Sequence, residues 1–168
     1  SQVIMLTDSE SLIKRVRTEV DKQVQLLPRK EIALKALENS KLILLRTPDD
    51  CMDFSNLYAP EHLIINCADS ISIVNSVINA GSVFLGKFSC ESAGDYASGT
   101  NHTLPTNGFA KNYSGVSTDS FYKKISFQEI SAAGIKNLGP AIELMAEAES
   151  LIGHKNAVSV RLKSLQNG

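Results

Sequence analysis

The chain predicts an α/β fold with a mostly parallel sheet, followed by a small helical unit. Three observations carry this reading. Short apolar runs suited to buried strands fall at residues 2–6, 41–46, 63–66 and 82–85. Between them, apolar residues recur at helical spacing behind capping residues, and strands alternating with helices form parallel sheets by crossover. Beyond residue 117 the pattern is helical with no further strand to cover. The α/β part is set at residues 1–114 and the helical unit at 115–168.

Each element has its own justification. Gln2–Leu6 reads as a strand, and Thr7 with Glu10 stands in capping-box spacing for the helix that follows. Leu12, Ile13, Val16, Val20, Val24 and Leu27 form its inward stripe. Pro28 stops that helix, and a second runs to about Asn39 with Ile32, Ala33, Ala36 and Leu37 inward. After the strand at 41–46, Thr47 is a cap and Pro48 suits the first helical position of a segment reaching about Leu57. A strand at 63–66, a helix capped near Asp69 and ended before Gly81, and a strand at 82–85 complete the alternation. Residues 86–117 hold Gly86, Gly94, Gly99, Gly108 and Gly115, half of the chain's ten glycines, and no clear apolar period. A polar loop of that length in a compact domain usually serves a purpose. Ser126 and Glu129 offer another capping box, for a long helix through Ile142, Met145, Ala146 and Glu149 that ends near Gly153. A last helix covers 155–165.

Composition excludes several functions. With 43% hydrophobic and 21% charged residues the chain is an ordinary globular one. A net charge of −1 gives no attraction to nucleic acid or anionic membranes, and no apolar run spans a bilayer. The opening lacks the basic region of a secretory leader. Cys51, Cys67 and Cys90 are odd in number without CxxC spacing, so they read as free thiols of a reducing, cytoplasmic compartment.

The chemistry-bearing residues are few. The three histidines, His62, His102 and His154, all sit at expected element boundaries. Histidine titrates near neutrality and serves as general base, and Glu61 beside His62 supplies a carboxylate that can tune it or activate water. A solvated glutamate at a strand corner fits the same pattern. Asp95, between Gly94 and Tyr96, has a small neighbour that lets a ligand approach, although a turn aspartate bonding its own backbone is also common. Glu149 by itself reads as a solvated helix glutamate. No HxH or HExxH arrangement is present, so spacing alone defines no metal site.

Taken together, Tyr58-Ala59-Pro60-Glu61-His62-Leu63, Ala80-Gly81-Ser82-Val83-Phe84-Leu85-Gly86, Glu91-Ser92-Ala93-Gly94-Asp95-Tyr96, Gly99-Thr100-Asn101-His102, Leu104-Pro105-Thr106 and His154-Lys155-Asn156-Ala157-Val158 resemble the histidinol dehydrogenase family, in the same order and over essentially the whole chain. The resemblance implies oxidation of L-histidinol through L-histidinal to L-histidine with two NAD, in histidine biosynthesis. Under it Glu61 and His62 match the acid/base pair, and Asp95 and His154 match two ligands of a catalytic zinc. His62, Asp95, His102, Glu149 and His154 would contact substrate. The family is a homodimer, so Glu149 and His154 would complete the partner's site. Two further zinc ligands and the NAD-binding half match nothing in this chain, so no NAD-contacting residue is assigned. The expectation is therefore an incomplete Rossmann-like domain, inactive by itself. Two alternatives stand beside it: a non-catalytic binding or dimerisation module, and an unrelated metal-dependent hydrolase using Glu61 and Asp95.

Overall fold

The computed structural model describes residues 1–166. Two compact units divide the chain, Ser1–Tyr122 and a second beginning at Lys123. The boundary lies beyond the expected 114/115 because the intervening residues are tied back: Val116 N–H donates to Thr103 O at 3.0 Å, and Asn101 Nδ2 donates to Val116 O at 2.6 Å.

In the first unit, β1 (Ile4–Thr7) leads into α1 (Glu10–Val24), α2 (Lys30–Glu38) and β2 (Lys41–Leu44). β1 and β2 pair in parallel, with Ile4 opposite Lys41. Then α3 (Pro48–Tyr58), β3 (His62–Ile65), α4 (Ser70–Val74) and β4 (Ser82–Leu85) follow, with β3 and β4 parallel and His62 opposite Ser82. The parallel α/β character is as expected. The strands form two separate two-stranded ladders, not one sheet. Val24, Met52, Ala59, Ile65 and Phe84 are its buried apolar residues among those described.

Local sequence explains most element ends. Ser9, not Thr7, caps α1, its Oγ accepting from Leu12 N at 3.3 Å, while Thr7 Oγ1 accepts from Ser9 N. α1 stops at Val24, which leaves Leu27 exposed outside the stripe, and Ile32 and Leu37 of α2 are also exposed. Thr47 caps α3 with Pro48 at its start. α4 is only one turn long although Asp69 caps it as expected. Its continuation is captured by Asn56 of α3. Asn56 Nδ2 donates to Ser76 O, and its Oδ1 accepts from the N–H groups of Ile78 and Asn79. Those backbone groups cannot then extend the helix.

The segment expected to be irregular contains a further helix, α5 (Glu91–Tyr96), and a 3₁₀ turn at Phe109–Lys111, and a second 3₁₀ turn, Thr118–Phe121, follows it.

The second unit is a hairpin of α6 (Ala132–Ala148) and α7 (Ile152–Ser164). Ser131 caps α6 by accepting from Gly134 N at 3.1 Å, in place of the expected Ser126 box. Ser150, at φ 59, makes the left-handed turn between the helices. Gly153 therefore lies inside the first turn of α7 and stops nothing. The helices run antiparallel: Gly139 meets Leu162, Glu143 accepts from Ser159 Oγ, and Glu147 pairs with Lys155 at 2.8 Å.

Candidate functional site

His62 opens β3, and the chain before it is held by close backbone contact. Ala59, 1% exposed, closes α3 in the left-handed region at φ 56 and donates its N–H to Ser55 O. Gly81 N donates to Pro60 O and Ser82 N to Glu61 O, both at 2.9 Å. A Cβ at position 81 would lie 2.5 Å from Glu61 O, so only glycine lets β4 lie this close to the Glu61–His62 step.

Alternation along parallel strands puts His62, Ile64, Ser82 and Phe84 on one face. The His62 ring stacks over Phe84, with centroids 6.0 Å apart and planes at 30°. α5 folds back over the same ring: a Cβ on Gly94 would stand 2.6 Å from Phe84 Cε1. That contact brings the next residue, Asp95, to His62.

The result is a histidine between carboxyl groups. Glu61 Oε1 lies 4.0 Å from His62 Nδ1, and Asp95 Oδ1 lies 3.8 Å from His62 Nε2. Both distances exceed a direct hydrogen bond. His62 and Asp95 are each 23% exposed, and His62 Nε2 is buried without a hydrogen-bond partner. A buried polar atom left unpaired is costly, and it marks a place where another polar group belongs. Glu91, one helical turn before Asp95, closes the group: ligand atoms of His62, Glu91 and Asp95 all lie within 4.8 Å of one another. A hydrogen bond shared with Asp95, then desolvation and the Asp95 charge, raises the Glu91 pKa above the ordinary glutamate value, and nearby His62 opposes the rise. A carboxylate oxygen is a donor that suits zinc, and Asp95 fits such an ion beside the unpaired His62 nitrogen.

The other expected residues lie elsewhere. His102 is exposed on the loop after α5, where Asn101 Oδ1 accepts from Thr103 N at 2.6 Å. Glu149 is the C-terminal cap of α6, and His154 lies in the first turn of α7, both exposed in the second unit. Two shallow depressions, one lined by Leu44–Arg46, Asp50, Asp53, Phe54 and Leu57 and one by Thr103–Thr106, Phe109, Tyr113, Ser114 and Val116, include none of the cluster residues. Glu91 escaped the sequence reading. Its signal was the i, i+4 spacing to Asp95, visible only once α5 is known to be a helix.

Fold and site together define an α/β protein with a half-buried histidine held among carboxyl groups. Comparison with known proteins makes this specific. The family model described as histidinol dehydrogenase matches residues 1–162, and the chain belongs to that family. It is 59% identical over 166 residues to the histidinol dehydrogenase of Bacteroides thetaiotaomicron, covering 99% of this chain and 39% of that protein. Against the histidinol dehydrogenase of Bacteroides fragilis the figures are 57%, 99% and 39%. The crystal structure of histidinol dehydrogenase from Elizabethkingia anophelis matches with a TM-score of 0.90 at 60% identity, over 99% of this chain and 38% of that one. The chain thus spans about two fifths of the length of the relatives it matches. Among the described residues, no helix is long and apolar enough to cross a membrane.

Proposed function

We propose that this chain carries the proton-transfer centre of a histidinol dehydrogenase, which oxidises L-histidinol through L-histidinal to L-histidine in the cytoplasm. The observation that carries the reading is His62 Nε2, buried and unpaired, facing Asp95 with Glu61 at the other ring nitrogen.

In the first oxidation His62 Nε2 takes the hydroxyl proton as hydride leaves the carbinol carbon, giving the aldehyde. In the second, Glu61 takes a proton from the water that adds to the aldehyde carbon. His62 gives the proton it holds from the first oxidation to the former aldehyde oxygen, completing the hydrate. It then takes a hydroxyl proton of that hydrate as the second hydride leaves, giving the acid. NAD supplies the hydride acceptor in each oxidation, and no residue of this chain is assigned to it. Zinc, held by Asp95 and His154 with ligands from elsewhere, would polarise and orient the substrate oxygen. Glu149 and His102 contact the substrate, Glu149 through its imidazole. Glu149 and His154 complete the site of the partner subunit in a homodimer, and the chain by itself is inactive.

The test uses a chain of the relatives' length, in which this sequence replaces the matching 166 residues of the Bacteroides thetaiotaomicron protein. L-Histidinol should yield two NADH per molecule in a zinc-dependent reaction. His62→Asn should slow hydride transfer by about 100-fold or more with zinc retained, and His154→Ala should lose zinc. Mixing those two variants should restore activity through heterodimers. No NADH from the full-length protein, or an unchanged rate in His62→Asn, would sink the proposal.

A further inference from the structure

Strand β4 supplies both the backbone beside Glu61 and the ring stacked on His62, so its register against β3 decides the geometry of the site. The two strands specify that register poorly by themselves. Each has four residues, and Leu63, Ile64 and Ile65 face Val83, Phe84 and Leu85, apolar on either side of the ladder. A slip of one residue would turn Ser82 and Phe84 away from the His62 face and bring Val83 and Leu85 onto it. A ladder of two short strands has little stability of its own with which to resist this.

The register is held from outside the ladder, by Asn56 in the last turn of α3. Its Oδ1 accepts from Ile78 N at 2.8 Å and Asn79 N at 3.3 Å, and its Nδ2 donates to Ser76 O at 2.8 Å. Asn79 donates in return from Nδ2 to Asn56 O at 2.9 Å. Only Ala80 then intervenes before Gly81 N and Ser82 N donate to Pro60 O and Glu61 O. On the facing segment Leu57, Tyr58 and Ala59 join Asn56 to Pro60, with Ala59 held at φ 56. Both segments are thus pinned at one point just before they pair. A slip moves a strand by about 3.3 Å, and the single residue Ala80 cannot absorb it while Ile78 and Asn79 stay bonded to Asn56. Gly81 leaves room for the native register, and the clasp holds it.

We propose that Asn56 is a positioning residue, which sets the register of β4 through residues 76–79 and so places Glu61, His62 and the Phe84 ring for the oxidation. This deepens the functional reading above and rests on it.

The experiment uses the full-length chain and measures kcat and KM for L-histidinol, the melting temperature, and amide exchange at Gly81 and Ser82. Asn56→Ala should exchange faster at both amides and lower kcat by about 10–100-fold, the scale of an ångström-sized misplacement. KM should stay at the parent value, since no group that binds substrate is lost. Asn56→Asp keeps an oxygen for Ile78 N and Asn79 N and should recover most of the lost rate. Asn79→Ala loses only the bond to Asn56 O and should lower kcat by a smaller factor with the same KM. Ser9→Ala removes the cap of α1 and should lower the melting temperature with kcat unchanged. Parent-like kcat in Asn56→Ala, whatever its exchange, would make the clasp scaffold alone and overturn the proposal, leaving the functional reading intact. So would an aspartate variant as slow as the alanine one, or a fall of kcat in Ser9→Ala that tracks its loss of stability. Should Asn56→Ala fail to fold, Asn79→Ala decides, and parent-like kcat there overturns the proposal. If the parent chain makes no NADH from L-histidinol, the functional reading falls and this inference with it.

Discussion

Gly94 is where packing and chemistry meet most tightly. An alanine there places a methyl group 2.6 Å and 2.8 Å from Cε1 and Cζ of Phe84, and 2.7 Å from Thr100 Oγ1. Carbon atoms rest about 3.5–4.0 Å apart, so the ring or α5 must retreat by about 1 Å. Overpacking of this kind costs about 1–3 kcal/mol, against which alanine recovers about 1 kcal/mol of helical preference over glycine. The net loss of stability is therefore small, about 0–2 kcal/mol. The effect on chemistry should be much larger. Phe84 lies under the His62 ring and Asp95 follows Gly94 directly, so a 1 Å retreat opens the His62–Asp95 gap from either side. Misplacement on that scale can cost about 100-fold in rate. The assay is kcat/KM for L-histidinol beside a thermal melt, in the full-length chain. Phe84→Leu removes the ring atoms that the new methyl meets, so the double variant should be better than the two single effects combined. Coupling of about 0.5–3 kcal/mol is expected for residues in contact. Parent-like kcat/KM in Gly94→Ala, or strict additivity with Phe84→Leu, would refute the claim that this contact sets the site.

Two other perturbations probe the scaffold and its thiols. Asn56→Ala removes three hydrogen bonds to the backbone of residues 76–79. At about 0.5–1.5 kcal/mol each, discounted for their exposure, the loss is about 1–3 kcal/mol, and faster amide exchange should be confined to that turn and the start of β4; unchanged exchange there would contradict the clamp. Among the cysteines, Ser92 Oγ near the Cys90 sulfur lowers that thiol below its ordinary pKa, whereas desolvation first, and then Asp8 and Asp50, raise Cys51. Since the thiolate is the nucleophile, the lowered group reacts at lower pH. Iodoacetamide near neutral pH should therefore label Cys90 well before Cys51 by peptide mass spectrometry, and the reverse order would count against these environments.

How far the sequence revealed this molecule depends on whether the deciding contact was local. Thr47-Pro48 and Asp69 act on the helices they begin, and both caps stand where the pattern put them. The α1 stripe was legible for the same reason, since one helix face meets one core. α4 could not be measured from its own residues, because Asn56 terminates it from 20 residues away. Ser126 with Glu129 made a better written cap than Ser131, yet local signals there compete on nearly equal terms and Ser131 holds the helix start. α5 was hidden behind Gly94, a poor helix former with no capping side chain at Cys90 before it. Its helix is justified by the packing on Phe84 that the glycine permits. For the candidate site, Glu61, His62 and Asp95 were legible as residues. Their convergence was not, because it follows from α5 folding back across β4.

That return also places the candidate site away from where fold class alone would look. In open parallel α/β sheets ligands bind beyond the carboxyl ends of the strands. Here His62 is the first residue of β3, at its amino end, and the site residues stand over one face of the β3–β4 pair. Two features make that position workable. Gly81 lets β4 approach Glu61 O so closely that the backbone under the proposed acid/base pair is fixed. Phe84, 7% exposed, meets both the His62 ring and the α5 backbone at Gly94. The aromatic ring thus converts a helix–strand contact into a defined distance between an imidazole and a carboxylate. Small residues at 81 and 94 and a flat one at 84 matter to the proposed chemistry although none of them can transfer a proton.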